Sequence, residues 1–320
     1  MYVIKQDRNH TDYLAKYGLY IFFLLMAIAF SLLTPKFYAP DNILNILMQS
    51  AFIGIAVVGM VFVLLTAGID LSVGTSMLFS GTLVAFCVSK GLGLFGAVMV
   101  AISSGAIIGS INGLVISRWR VVPFIATLAS ATFMKGITFV FTGATSTFFN
   151  GAVSDFITKS RIAGIPLIVG VLIAAVLIGQ FVLMKTSFGR QIYAIGNNWA
   201  VAEKIGIHVK RKIFMVYLIS GIMAGISGMI AAAQVGIITP TMGSGQEFVV
   251  ISSAVLGGVS LFGGKGNIFP GAIMGVIIIV SIENILVLIH ADLYLYTIVR
   301  GVVIFMAVMI DCLKHQGELR

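Results

Sequence analysis

Three groups of residues in this chain have types and spacing that could do chemistry. The first is the glycine-rich run from Gly257 to Gly266, which superficially matches a phosphate-binding loop. That loop needs glycines at fixed positions so that backbone amides can cradle phosphate, and a Ser or Thr after its lysine for magnesium. Here Val259 stands where the first glycine is required, and Gly266 follows Lys265. Nucleotide binding by this run is therefore excluded. The second group is the ionisable side chains inside apolar runs: Lys135, Glu283 and Arg300, with Glu247 opening a further run. A charge in hydrocarbon is costly, so such groups pair with one another or mark an ion pathway. Glu283 is the candidate for binding a coupling proton or sodium ion. It can equally pair with Lys135 or Arg300, or rest against Asn284. The third is the turn Ala67-Gly-Ile-Asp-Leu-Ser-Val-Gly74. Gly68 and Gly74 permit a sharp or unwound backbone, and Asp70 and Ser72 can satisfy backbone amides. A plain helix cap and a broken helix lining a pathway both fit it.

Other chemistries fail on composition. There is no nucleophile elbow, no His-Glu-x-x-His and no cluster of His or Cys. The four histidines, His10, His208, His290 and His315, fall in loops or at ends. No catalytic residue and no metal-ligand set is expected.

The elements that must position these groups are membrane helices. Of 320 residues, 59% are hydrophobic and 10% charged, where a soluble domain carries roughly 25% charged residues. Apolar runs long enough to cross a bilayer recur along the chain. They cover 18–34, 43–66, 71–88, 93–116, 124–141, 166–184, 213–234, 247–262, 268–289 and 294–311. The expected fold is all-α: a polytopic integral membrane protein of about ten transmembrane helices in a single domain, 1–320. No small-residue cleavage site follows the first run, so it reads as a retained helix and not as a signal peptide.

The net charge of +9 reflects topology, not nucleic acid. With both termini in the cytoplasm, the inner segments hold Lys5, Arg8, Lys16, Arg118, Arg120, Lys185, Arg190, Lys204, Lys210, Arg211, Lys212, Lys265, Lys314 and Arg320. The outer segments hold only Lys36, Lys90, Lys159 and Arg161. Cys87 and Cys312 fall on opposite membrane faces in this topology, so no disulfide is expected.

Two loops are long: an external one over about 142–165 and a cytoplasmic one over about 185–212. Within the second, 198–205 reads as a short helix, with Asn197 or Asn198 as its cap and Gly206 as its stop. Small residues repeat at helical spacing at Gly105 and Gly109, Gly221 and Gly225, and Gly271 and Gly275, positions that let helix backbones approach closely in lipid. Val63 to Gly74 and Val255 to Gly266 each end an apolar run in a glycine-rich turn, a hint of two related halves. Polar groups in or beside the spans are the candidates for lining a pathway: Asn45, Gln49, Thr66, Asp70, Ser72, Asn112, Gln246, Ser252, Ser253 and Asn284.

Thr66-Ala-Gly-Ile-Asp-Leu-Ser-Val-Gly74, Phe188-Gly-Arg-Gln-Ile-Tyr-Ala-Ile-Gly-Asn-Asn198, Lys204-Ile-Gly-Ile207, Tyr217, Ser220-Gly221 and Leu256-Gly-Gly-Val-Ser-Leu-Phe-Gly-Gly-Lys-Gly266 occur together in order. In this combination the chain resembles the permease subunits of ribose-type monosaccharide ABC importers, from about Phe37 to Asp311. The resemblance implies a pore formed by two copies of the permease in the inner (plasma) membrane of a bacterium. It implies a separate cytoplasmic ATP-binding subunit, which alone carries ATP and magnesium, and a periplasmic sugar-binding protein. It also implies that Gly196, Asn197, Asn198, Ala200, Ala202, Glu203 and Gly206 form the segment that couples to the ATPase, with Trp199 and Glu203 departing from the usual pattern. The alternatives are an ABC permease for another small polar solute, such as a nucleoside, a branched-chain amino acid or a signalling molecule, or an ion-coupled carrier.

Overall fold

The computed structural model describes residues 8–318, so Lys5 and Arg320 of the charge count lie outside the described residues. The chain is an α-helical bundle. Its helices are α1 (Arg8–Leu33), α2 (Pro40–Leu64), α3 (Val73–Ser89), α4 (Leu94–Trp119), α5 (Pro123–Thr142), α6 (Ala152–Lys159), α7 (Leu167–Lys185), α8 (Ser187–Asn197), α9 (Trp199–Lys204), α10 (Val209–Val235), α11 (Gln246–Leu256), α12 (Ile273–Leu288) and α13 (Leu293–Glu318). Among the described residues, seven stretches are long and apolar enough to cross a membrane: α2, α4, α5, α7, α10, α12 with its lead-in from Ile268, and Tyr294–Leu313 of α13. Shorter apolar helices occupy Tyr17–Leu33, α3 and α11. Each apolar run read from the sequence therefore contains a helix, and seven reach full spanning length.

α2 is the centre of the bundle: 78% of its most apolar window is buried, against 6% for α13 at the periphery. From Ile53 to Leu64 α2 is enclosed on all sides and wholly apolar, with no outward stripe to keep polar, while its first turns keep an exposed face that carries Asn45 and Gln49. α4 and α10 touch backbone to backbone. A Cβ on Gly105 or Gly225 would run into the carbonyl of Gly221 or Ala101, so the small residues set the approach.

The eighth run, 247–262, is not one helix. α11 ends at Leu256, after 11 residues. Gly258 then takes a left-handed φ of +89°, and its amide bonds Val255 O at 2.8 Å while the Val259 amide bonds Ala254 O at 3.0 Å. This paired closure caps the helix and turns the chain away. Asn267 Oδ1 accepts from the Gly271 amide and starts the kinked lead-in to α12. The segment between α5 and α7 is structured too. It carries α6 and a two-residue strand, Thr147–Phe148, which pairs antiparallel with Ile237–Ile238 after α10.

Candidate functional site

The segment between α7 and α10 folds into two helices where the sequence suggested one. α8 is amphipathic: Ile192 and Ile195 are buried and Arg190 is exposed. Thr186 Oγ1 caps it by accepting from the Gly189 amide at 3.3 Å. α9 follows at the predicted place. Asn198, extended at φ −162°, accepts the Val201 amide on Oδ1 at 3.0 Å, which is the N-cap arrangement. Gly206 ends the segment at φ +86°. Ala202 is buried and anchors α9 to the bundle, while Ala200 and Glu203 face outward. Arg120 Nη2 lies 3.9 Å from Glu203 Oε2, with both side chains more than half exposed, so this pair holds little.

This segment sits on two turns. α2 closes with the Ala67 amide on Leu64 O (2.8 Å) and the Gly68 amide on Val63 O (3.2 Å), the same pair of bonds that closes α11. Here Ala67 holds the left-handed position, at φ +57°. The turns meet where the Gly264 amide donates to Leu65 O at 3.0 Å. Gly196 fills the join: a Cβ there would collide with both Leu65 O and the Gly264 nitrogen. Asn197 Oδ1 lies against Gly264. Tyr193 Oη donates to Gly266 O at 2.7 Å, and burial pushes its phenol above the usual tyrosine range, which keeps it a donor. A cleft of about 470 Å³ opens beside the join, lined by residues that include Thr66, Ala67, Gly68, Asn197, Trp199 and Tyr217.

Behind the α2 turn lies a buried polar network. Asp70 is 1% exposed. Its Oδ1 accepts from the Ser72 amide and hydroxyl at 3.0 and 2.6 Å, and its Oδ2 accepts from Ser220 Oγ at 2.8 Å. Asn112 Nδ2 donates to Ser72 Oγ at 2.8 Å, and Thr127 Oγ1 accepts from the Leu71 amide at 3.1 Å. A buried carboxylate persists only when its oxygens are satisfied in this way. Thr127 escapes a reading of the sequence, and Ser220, which enters there only through the resemblance, is not tied to Asp70, because both come from distant helices.

The remaining pathway candidates scatter. Thr66, Ser252 and Ser253 bond carbonyls of their own helices. Asn284 exchanges two bonds of 2.9 Å with Asn42. Gln246 Oε1 is buried without a hydrogen-bond partner among the described residues. Asn45 and Gln49 lie on the exposed face of α2. Glu283 Oε1 pairs with Arg300 Nη2 at 2.6 Å, which selects Arg300 among the partners foreseen for it. Lys135 Nζ instead reaches Ser244 Oγ at 3.4 Å and stands over the Phe139 ring.

Residues 42–308 match the family described as branched-chain amino acid transport system / permease component. The chain is 38% identical over 310 residues to the ribose import permease protein of Bacillus subtilis strain 168, covering 96% of each chain. It is 36% identical over 292 residues to the ribose import permease protein of Haemophilus influenzae, covering 90% of each. To the D-allose transport system permease protein of Escherichia coli K12 it is 35% identical over 311 residues, covering 96% of this chain and 94% of that one. No solved structure matches.

Proposed function

The chain belongs to the family of branched-chain amino acid transport system permease components, and from this we propose that it is the membrane permease of an ATP-driven importer of a ribose-like monosaccharide. The family's description names amino acids, but the similar proteins that span its length are named for ribose and allose import, and the sugar reading follows them. The chain is a multi-pass protein of the bacterial cell membrane and supplies transport, not catalysis. ATP hydrolysis belongs to a partner.

The observation that carries the reading is the segment Gly196–Gly206 seated on the meeting point of the α2 and α11 turns. It presents exposed Ala200 and Glu203 beside an open cleft. We assign this surface to the docking of a cytoplasmic ATP-binding subunit. When that subunit closes on ATP it displaces α9. Because Gly196 leaves no space between its backbone and the Leu65–Gly264 join, the push reaches both turns together, and the bundle rocks from one open side to the other. A ten-span topology with both ends in the cytoplasm follows from the basic residues, and puts this segment on the ATP side. A second copy of the chain completes the pore, and a sugar-binding protein outside delivers the solute. Asn45 and Gln49 lie four apart on one exposed α2 face, and are the path-lining amides this reading favours. Glu283, engaged with Arg300, is not available as an ion-coupling carboxylate.

Deleting the chain from its own cells tests this. Uptake of one labelled sugar from a panel of ribose, allose and arabinose should fall to background and return with the gene. Undiminished uptake of all three would defeat the sugar reading.

A further inference from the structure

Asp311 belongs to none of the groups described above. It lies on α13, and its Oδ2 accepts from the Leu261 amide at 2.9 Å and from Ser260 Oγ at 3.3 Å. Ser260 Oγ in turn accepts from the Phe262 amide at 3.2 Å. These three residues are the strand of turn between the end of α11 and the Gly263–Gly264 contact with Gly196 and Leu65. Hydrogen bonds to a carboxylate are stronger than those between neutral groups, so the turn is clasped to α13.

The α2 turn has a matching clasp. There Asn112 donates to Ser72 Oγ. Asn112 lies on a helix that begins at Leu94, and Asp311 lies on one that begins at Leu293. They stand equally far along their helices. Each turn beneath the coupling segment is thus held through a serine by a polar side chain of a later helix. The difference is enclosure. Asn112 is 1% exposed inside the bundle, whereas α13 is the peripheral helix. In the first turn the clasp joins parts that are already packed together. In the second it ties the turn to a helix that packs on α11 through one face and leaves most of its surface exposed.

We propose that Asp311 is a positioning residue of the transport cycle, which carries the displacement of the coupling segment through the Ser260–Leu261 turn into α13. The proposal rests on the reading of Gly196–Gly206 as the ATPase-docking segment. Without the clasp, the glycine-rich turn absorbs the motion and ATP is hydrolysed without moving α13. Loss of a helix from the bundle would reduce stability. Loss of this clasp instead changes how much sugar moves per ATP.

The test uses the full assembly, with ATP-binding subunit and binding protein, in proteoliposomes. Two quantities are read: ATP hydrolysed, and uptake of whichever of labelled ribose, allose or arabinose the wild type imports. Asp311→Ala should keep ATPase activity and lower sugar moved per ATP by about tenfold, the scale of one lost charge-assisted contact. Asp311→Asn, which keeps an accepting oxygen, should recover most of that ratio. An Asp311→Ala ratio equal to wild type overturns the proposal. Should Asp311→Ala not insert, Asp311→Leu, which is close in size and removes both accepting oxygens, is read in its place, and a wild-type ratio in that variant overturns the proposal. A wild-type chain on which the ATP-binding subunit does not dock overturns the docking reading instead.

Discussion

The Gly264 amide donates to the Leu65 carbonyl across 3.0 Å, joining a turn near the start of the chain to one near its end. Each turn leaves its helix by the same pair of backbone bonds, Ala67 and Gly68 in one and Gly258 and Val259 in the other. Gly196 lies on the join so closely that no side chain fits. Under the proposed docking of an ATP-binding subunit, a push on this segment reaches both turns at one point.

Gly196→Val should break this arrangement without unfolding the bundle, because the clash is local to the C-terminal end of α2. The variant should appear in the membrane at wild-type amount, and its uptake should fall at least about tenfold, the consequence of losing a close-fitted contact worth ~1.4 kcal/mol or more. Immunoblots of membranes together with labelled-sugar uptake check both parts. Normal uptake would show that the join transmits nothing.

Ala67 holds a backbone conformation, φ +57°, that costs a residue with a Cβ about 1–2 kcal/mol. Ala67→Gly removes that strain but adds freedom to the unfolded chain. The detergent melting temperature should rise by a small amount, equivalent to up to about 1 kcal/mol. Ala67→Val should lower it. A fall with Gly would mean that the alanine methyl makes a contact that outweighs the strain.

Glu283 and Arg300 meet at 2.6 Å, with their side chains less than a third exposed. Glu283→Gln alone leaves the guanidinium without its charge partner and should cost about 2 kcal/mol in melting experiments. Replacing both residues with Met should recover most of that loss, since a paired charge is replaceable by apolar packing. The doubly substituted transporter should still import sugar. A folded but inactive double variant would point to an ion-binding role for Glu283.

Much of this was legible in the sequence, and what was not has physical causes. Each apolar run contains a helix because a lipid-facing chain must satisfy its backbone internally. The cap at Asn198 and the stop at Gly206 were readable because local hydrogen bonding decides them. The break after Leu256 was missed, since the residues beyond it stay apolar enough to continue a span while the backbone turns at Gly258. α8 was missed because Gly189 and Gly196, poor helix formers, flank a pattern of only two buried isoleucines, Ile192 and Ile195. Asp70 illustrates the remainder: Asp70, Ser72 and Asn112 all stand among the polar candidates, yet only the fold shows that Ser72 bonds both of the others in the interior and that Ser220 holds the second Asp70 oxygen.

The membrane topology has its own test. A reporter fused after Ser117 should read as cytoplasmic, next to Arg118 and Arg120, and one fused near Ser154 as external. The opposite pattern would put the coupling segment on the wrong side for ATP.

Energy source is the central claim, and it is measured most directly in proteoliposomes. The chain is reconstituted with its ATP-binding subunit, the sugar-binding protein is added on the opposite face, and labelled sugar is followed. Uptake should require ATP on the side of Gly196–Gly206 and should ignore collapse of the proton and sodium gradients. Uptake that proceeds without ATP and stops when an ion gradient is collapsed would contradict the account.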